Sequence, residues 1–230
     1  AQVINLCLCS PSVDSSVTAA IDAAAAAGVL VVTSAGNCGG ASYSTQGCHV
    51  QNESDFPAAY AGTTTGAGKL IPVASIGSNG LVSSYSTQAS YVATAGLAAP
   101  GGAILSTYPS NTYATMSGTS MAAPHVAGAA AVIWSTYASL TREQVRDAIR
   151  TGVTMNATTL ASPNAYGAGL LNIDGALVVA RAAWSTSTPS STPTVTKTPT
   201  VIASPTVTRT PSVAITSTAS PTSTATRTPT

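Results

Sequence analysis

The chain has 230 residues, a formal net charge of +1, and charged residues at only 7% of its positions. It has no basic stripe that would bind nucleic acid, and no cluster of lysine and arginine that would bind a lipid surface. It also has no uninterrupted apolar stretch long enough for a transmembrane helix. Composition therefore predicts neither a nucleic-acid partner nor a transmembrane segment.

The composition changes after Trp184. Residues 1–184 are rich in alanine and glycine and hold every aspartate and glutamate, whereas residues 185–230 contain no glycine, acidic or aromatic residue. The second stretch has a six-residue repeat that starts with proline and is dense in threonine, which favours an extended chain without a core. We predict one packed domain over 1–184 and a disordered linker or stalk over 185–230. An O-glycosylated spacer and an inert linker both stay open.

The first predicted elements are a strand, a helix and a second strand. Residues 3–8 form a short apolar run, residues 15–28 have apolar side chains at helical spacing, and residues 29–33 are continuously apolar. This order predicts a right-handed crossover between parallel strands. Ligands of such sheets bind beyond the carboxyl ends of the strands, which is where residues 34–37 begin.

The later segments continue this α/β pattern. Residues 122–134 are apolar nearly all round, which predicts a helix buried at the centre of the domain. Residues 141–150 carry a capping box and a narrow apolar face. The remaining predicted elements are short strands at 69–76, 102–107 and 112–116 and a last amphipathic helix at 172–183.

Ser120 is a candidate nucleophile. It lies at the predicted start of the buried helix, where unpaired backbone N–H groups and the helix dipole favour an anion. Such a setting stabilises the oxyanion that forms when an ester or amide is attacked. Spacing alone favours a simpler role for Ser120, as the N-cap of an apolar helix.

The two histidines of the chain are His49 and His125. His125 follows Ser120 by five residues, which turns its side chain about 140° away around the helix and out of reach of the hydroxyl. His49 lies in a loop where nothing resembles a positioned catalytic pair. We therefore expect neither histidine to be the base that activates Ser120.

The four cysteines leave three arrangements open. Cys38 and Cys48 bracket a loop rich in glycine and serine and are candidates for a disulfide, which suits an oxidising compartment. Cys7 and Cys9 lie two apart on a predicted strand, so they share a face and do not readily bond to each other. Free buried thiols and a zinc site are the alternatives, although the spacings do not match the usual zinc motifs.

The segment GTSMAAPHVAG at 118–128 closely resembles the serine motif of the subtilisin-like serine proteases, or subtilases. The resemblance covers residues 2 to about 182 and is nearest to the thermitase-like bacterial branch. Further segments resemble the family in the same order and at family spacing: VIN at 3–5, GVLVVTSAGN at 28–37, FPAAY at 56–60, YSTQASYVATAGLAAPGGAILSTYP at 85–109, and GAGLLNIDGAL at 167–177.

The resemblance implies a subtilisin-like α/β fold, with a parallel sheet covered by helices on both faces. It makes Ser120 the nucleophile, and it makes Asn37 a side-chain donor to an oxyanion hole shared with the backbone N–H of Ser120. The specificity pocket is expected to have two walls, formed by Cys7, Leu8 and Cys9 on one side and by Ser34, Ala35 and Gly36 on the other. Cys9 stands where the family usually has glycine, so it is expected to crowd the pocket, narrow specificity or add a reactive thiol.

The family motifs for the catalytic aspartate and histidine, D-[ST]-G and H-G-T-H, do not occur in this chain. In the family both precede the segment that resembles residues 3–5. We therefore expect the C-terminal portion of a secreted or surface-attached serine endopeptidase, with a polypeptide substrate, inactive or nearly so without the missing part. Surface attachment would come from sequence beyond the tail. No cofactor is identified, and calcium is common in the family but is assigned to no residue here.

Two alternatives stay open. One is a non-catalytic surface or binding protein built on a degenerate subtilase scaffold, which the altered residues 7–9 favour. The other is a fragment without an independent stable fold, because a parallel sheet that lacks neighbouring strands exposes apolar faces and strand edges.

Overall fold

A computed structural model describes residues 1–40, 44, 48–155 and 161–187 of the chain. The predicted tail lies outside these ranges except for residues 185–187, which continue the last helix. The interpretation of 188–230 as a linker or stalk therefore stays a prediction.

The described residues form an α/β arrangement. Four parallel strands make one sheet in the order β1-β2-β3-β4. The strands of this sheet are β1 (Val3–Leu6), β2 (Leu30–Ser34), β3 (Leu70–Ile76) and β4 (Leu97–Pro100). An antiparallel hairpin is formed by β5 (Ile104–Tyr108) and β6 (Thr112–Met116). The helices are α1 (Ser15–Ala26), α2 (Ser90–Ala95), α3 (Thr119–Thr136), α4 (Arg142–Thr151), α5 (Pro163–Tyr166) and α6 (Ile173–Ser187), with a 3₁₀ helix at Ala58–Gly62.

Helices cover both faces of the sheet, as expected. Strands β2 and β3 are buried along their whole length, which explains why both read as continuous apolar runs. Successive side chains of a strand alternate between faces, so Leu30 and Val32 pack against α3 while Val31 packs against α1 and the 3₁₀ helix. The core therefore consists of one apolar layer on each side of the sheet.

Most predicted elements are confirmed. The capping box of α4 is present, with Thr141 Oγ1 accepting from the Gln144 backbone and the Gln144 side chain accepting from Thr141 N. Four short elements were missed: the helices α2 and α5, the 3₁₀ helix and the strand β4. Each is too short to show a clear period, and β4 owes its place to pairing with β3.

The prediction that α3 is buried all round is wrong. Its sheet-facing side is fully buried through Ala122, Val126 and Ile133, but its other side is open, and Val132 is 42% exposed. No element among the residues described by the structure covers that side. The apolar composition of α3 thus exceeds what its packing in this chain requires.

Strand β1 is the edge of the parallel sheet in the described part of the chain. An apolar groove lies along each of its faces. One groove, of about 240 Å³, is lined by residues that include Ile4, Leu6 and Val17, and the other, of about 310 Å³, by residues that include Val3 and Trp134. The sheet therefore ends at a strand with an open edge and apolar surface on both sides.

Candidate active site

Ser120 is the second residue of α3 and is half-buried. Gly118, which precedes the helix, donates its backbone N–H to Gly101 O at 3.0 Å, just beyond the end of β4. A side-chain carbon at Gly101 would lie 2.7 Å from Gly118 O, so glycine is needed for this close approach. The contact fixes the N-terminus of α3, with its unpaired N–H groups, at the carboxyl edge of the sheet.

Asn37 is held against the same helix end by Thr119. Asn37 Oδ1 accepts hydrogen bonds from the backbone N and from Oγ1 of Thr119, both at 3.0 Å. Thr119 Oγ1 in turn accepts from Gly36 N at 3.2 Å. Because the carbonyl oxygen of the Asn37 amide is engaged in this way, its Nδ2 group remains as a donor beside the start of α3.

We call residues Ser34–Asn37 the inner wall. Ser34 and Ala35 are 4% and 0% exposed, and the Tyr91 hydroxyl donates to Ala35 O at 2.8 Å. Gly36 has a φ of +105°, and a side-chain carbon there would lie 1.6 Å from Asp55 Oδ2. Glycine is therefore the residue that allows the Asp55 carboxyl to lie directly against this wall.

We call residues Cys7–Cys9 the outer wall, and all three are exposed. The Cys7 thiol donates to Ser120 O at 3.4 Å. In a regular helix that carbonyl would accept the N–H four residues later, but Pro124 has none. The predicted outer wall therefore lies beside the candidate nucleophile.

A cavity of about 160 Å³ lies between the outer wall and the residues that follow the inner wall. Its lining consists of Cys9, Ser10, Pro11, Cys38, Cys48, Glu53 and Asp55. Cys38 and Cys48 are joined by a disulfide, so neither supplies a thiolate, and the zinc alternative loses two of its four ligands. Cys7 and Cys9 are free thiols. Burial, together with the charge of Asp55, raises the pKa of Cys9.

Neither histidine is hydrogen-bonded to Ser120 in the described residues. His125 Nδ1 donates to Met121 O at 2.9 Å, since a carbonyl can only accept, and no hydrogen bond links this ring to Ser120 in the described residues. His49 is an exposed partner of Glu53, with 3.0 Å between His49 Nδ1 and Glu53 Oε1. No hydrogen bond in the described part of the chain therefore joins Ser120 to a histidine that could act as its base.

The open side of Ser120 faces a groove of about 440 Å³. Its lining is Ile104, Ser106, Ser120, Met121, Pro124 and His125, which come from β5 and the exposed side of α3. The nucleophile is thus accessible on the side of the helix that nothing in the described residues covers.

Two residues of this site were missed from the sequence. Thr119 orients Asn37, and its signal was its position immediately before the candidate nucleophile. Asp55 lies behind the inner wall, and its signal was a single acidic residue directly before an apolar segment, FPAAY. Neither signal reveals the partner residue, because the contacts span 82 positions from Asn37 to Thr119 and 19 from Gly36 to Asp55.

Comparison with known sequences identifies one family. Residues 1–169 match the Subtilase family. Subtilisin DY of Bacillus licheniformis is 40% identical over 175 residues, which are 76% of this chain and 56% of that protein. The thermostable alkaline protease of Halalkalibacterium halodurans is 39% identical over 171 residues, which are 74% of this chain and 40% of that protein.

The solved structures agree in fold. The self-cleaved protease domain of PatA has a TM-score of 0.65 and 24% identity, covering 79% of this chain and 63% of that chain. At this identity the likeness concerns the fold alone. The chain spans about half the length of the curated relatives it matches.

Proposed function

Because the chain belongs to the subtilase family, we propose that it is the part of a serine endopeptidase that carries the nucleophile and the oxyanion hole. Its substrate is a polypeptide. The narrower assignment to the thermitase-like branch stays a prediction. The observation that carries the proposal is the pair of hydrogen bonds from Thr119 to Asn37 Oδ1, which leaves Nδ2 as a donor beside Ser120.

In the proposed reaction, Ser120 Oγ attacks the carbonyl carbon of the scissile peptide bond while its proton passes to a base. The negative charge on the carbonyl oxygen is held by Asn37 Nδ2 and the backbone N–H of Ser120, at the positive end of α3. Collapse expels the amine, which takes the proton, and leaves an acyl group on Ser120. Water then attacks the acyl group, and the acid and free Ser120 are regenerated.

The base and its acidic partner come, in this proposal, from a further segment of the same protein that adds to the sheet beside β1. Three features support it: the open edge of β1, the apolar grooves along both of its faces, and the uncovered side of α3 next to Ser120. The greater length of the relatives supports it as well. The described chain is then the C-terminal part of a catalytic domain and is nearly inactive alone.

An extracellular or cell-surface location is part of the proposal. The Cys38–Cys48 disulfide supports an oxidising compartment. In the described residues no helix is long and apolar enough to cross a membrane.

The test uses a fluorophosphonate, which reacts with an activated serine. In the full protein we expect rapid labelling of Ser120, loss of labelling and hydrolysis in Ser120→Ala, and no loss in Ser135→Ala, on the exposed side of the same helix. The described chain alone should label far more slowly. Rapid labelling of the chain alone would show that it contains a base.

A non-catalytic binding protein on the same scaffold is the second candidate. The observation that favours it is the outer wall, where two exposed free thiols replace an ordinary substrate-pairing segment. A full protein in which Ser120 does not label, but which binds polypeptides, would support this candidate.

A further inference from the structure

The cavity between the two walls has an acidic lining. Asp55 is 6% exposed and lies against Gly36, while Glu53, on the same loop, also lines the cavity. Both chain neighbours of Asn37 lie at this cavity, since Gly36 contacts Asp55 and Cys38 belongs to the lining. The cavity therefore begins next to the proposed oxyanion donor.

Asp55 has few groups that satisfy its charge. Thr87 Oγ1 donates to Asp55 Oδ2 at a long 3.4 Å, and the Cys38 sulfur at the same distance has no proton because it is in the disulfide. Burial raises the pKa of Asp55 to about 6. The groups that face this carboxyl from the elements packed around it are Glu53, Cys9, Thr87, Tyr91 and the Cys38 sulfur. None of them is a cation.

The other buried or paired acids of the described chain do have cations. Asp22 pairs with Lys69 at 2.7 Å, Asp147 with Arg146 at 2.6 Å, and Glu143 with Arg142. Asp55 is the most buried of these carboxyls, and in the described residues it has no such partner. A buried carboxyl without a cation is costly, and it lines a cavity that opens toward a proposed peptide cleft.

We propose that this cavity selects a cationic side chain, lysine or arginine, on the residue whose carbonyl Ser120 attacks, and that Asp55 is the residue that recognises it. The inference rests on the proposed function, because it assumes that a peptide lies between the two walls. A cationic side chain that enters the cavity supplies the charge partner that Asp55 lacks, and the Glu53 carboxylate in the same lining adds negative charge. A neutral side chain leaves the carboxyl unpaired, which gives discrimination against it.

The experiment compares peptides that differ only in charge at that residue. Arginine is paired with citrulline and lysine with norleucine, because each neutral partner has nearly the same shape. In the full protein at pH 8, we expect kcat/KM to favour the cationic member by at least about tenfold, as expected for a charged hydrogen bond. The preference should decline as the pH falls below about 6, where Asp55 becomes protonated.

The variant Asp55→Asn should reduce each ratio to near one while hydrolysis of the neutral peptides continues. Asp174→Asn, which removes the same charge from the exposed first turn of α6, should leave the ratios unchanged. If Asp55→Asn does not fold, the wild-type ratios alone still decide the matter. Hydrolysis that is lost in Ser120→Ala but shows no cationic preference overturns the pocket inference and leaves the proposed function standing.

If the full protein hydrolyses no peptide, the proposed function fails, and the pocket is tested by binding. Product-like peptides that end in arginine or citrulline are then titrated by calorimetry. A tenfold preference for arginine that is lost in Asp55→Asn supports the acidic pocket. Equal or undetectable affinity overturns it.

Discussion

The inner and outer walls lie on two sides of one cleft but are built in opposite ways. The inner wall, Ser34–Asn37, continues a central strand, is mostly buried, and is tied to α3 through Thr119. The outer wall, Cys7–Cys9, follows an edge strand, and Leu8 is 59% exposed. The difference indicates that contacts within the described residues fix the proposed oxyanion side, whereas the outer wall lies beside the open edge of β1.

The largest effect on turnover is expected from Asn37→Ala in the inner wall. It removes the proposed side-chain donor to the oxyanion, and loss of one such donor in subtilisin lowers turnover about 10² to 10³-fold. We expect a fall of this size in kcat of the full protein with little change in KM. Asn79→Ala, in an exposed turn, is the matched control. Unchanged turnover in Asn37→Ala would mean that the inner wall does not hold the oxyanion.

A smaller effect on turnover is expected from Thr119→Val. This substitution keeps the shape of a fully buried side chain but removes its hydroxyl. Asn37 then loses one of its two anchors and Gly36 N loses its acceptor. We expect kcat to fall about tenfold and the free energy of unfolding to fall by about 1–3 kcal/mol. Thr119→Ser keeps the hydroxyl and should therefore keep a kcat close to that of the wild type. If only the methyl group of Thr119 mattered, Thr119→Ser would lower kcat as well.

The third prediction concerns Asp55, behind the inner wall. Its pKa rises from an ordinary 3.8 to about 6 on folding because of burial, so the folded state holds this proton more tightly than the unfolded state. Stability from this carboxyl is therefore full below about pH 4 and is lost as the pH rises through about 6. Asp55→Asn should leave the melting temperature unchanged at pH 4 and raise it at pH 7.5. The expected gain in the free energy of unfolding at pH 7.5 is about 1–3 kcal/mol.

The control for that measurement is Asp174→Asn, which should shift the melting temperature little at either pH. A destabilising effect of Asp55→Asn at pH 7.5 would indicate that the ionised carboxyl has a structural cation partner. The stabilisation expected here and the specificity proposed above are linked, because a group that recognises a ligand commonly lowers the stability of the free protein.

The smallest effect is expected on the outer wall. Burial and the charge of Asp55 raise the pKa of Cys9, which lowers its thiolate fraction, so iodoacetamide should modify Cys9 more slowly than the exposed Cys7 at pH 7.5. Asp55→Asn should speed the reaction of Cys9, because it removes the charge contribution to the raised pKa of that thiol, and should leave the reaction of Cys7 unchanged. Mass spectrometry of the two modified positions measures both rates. If Cys9 reacts at the same rate in the wild type and in Asp55→Asn, then Asp55 does not act across the cleft.

The long periodic elements were predictable from the sequence, whereas the contacts of the site were not. Strands β2 and β3 are covered on both faces and α4 has its own capping box, so their signals are local. The family resemblance led to Ser120 and Asn37. Thr119 and Asp55 act through residues distant in the chain, and their roles depend on tertiary geometry. The prediction that α3 is buried was wrong for one of its sides. Composition shows that the surface of a helix is apolar, but it does not show which elements pack against that surface.

The Cys38–Cys48 disulfide has a consequence for a molecule that is exposed to proteolysis. It encloses ten residue steps of the loop that joins the inner wall to Asp55. A single backbone cut between Cys38 and Cys48 would leave Asn37 and Asp55 on different polypeptides that are still covalently joined. Such a nicked molecule would migrate as one band on a non-reducing gel and as two bands after reduction. Proteolysis between these two cysteines would therefore go unseen until a reductant separated the two fragments.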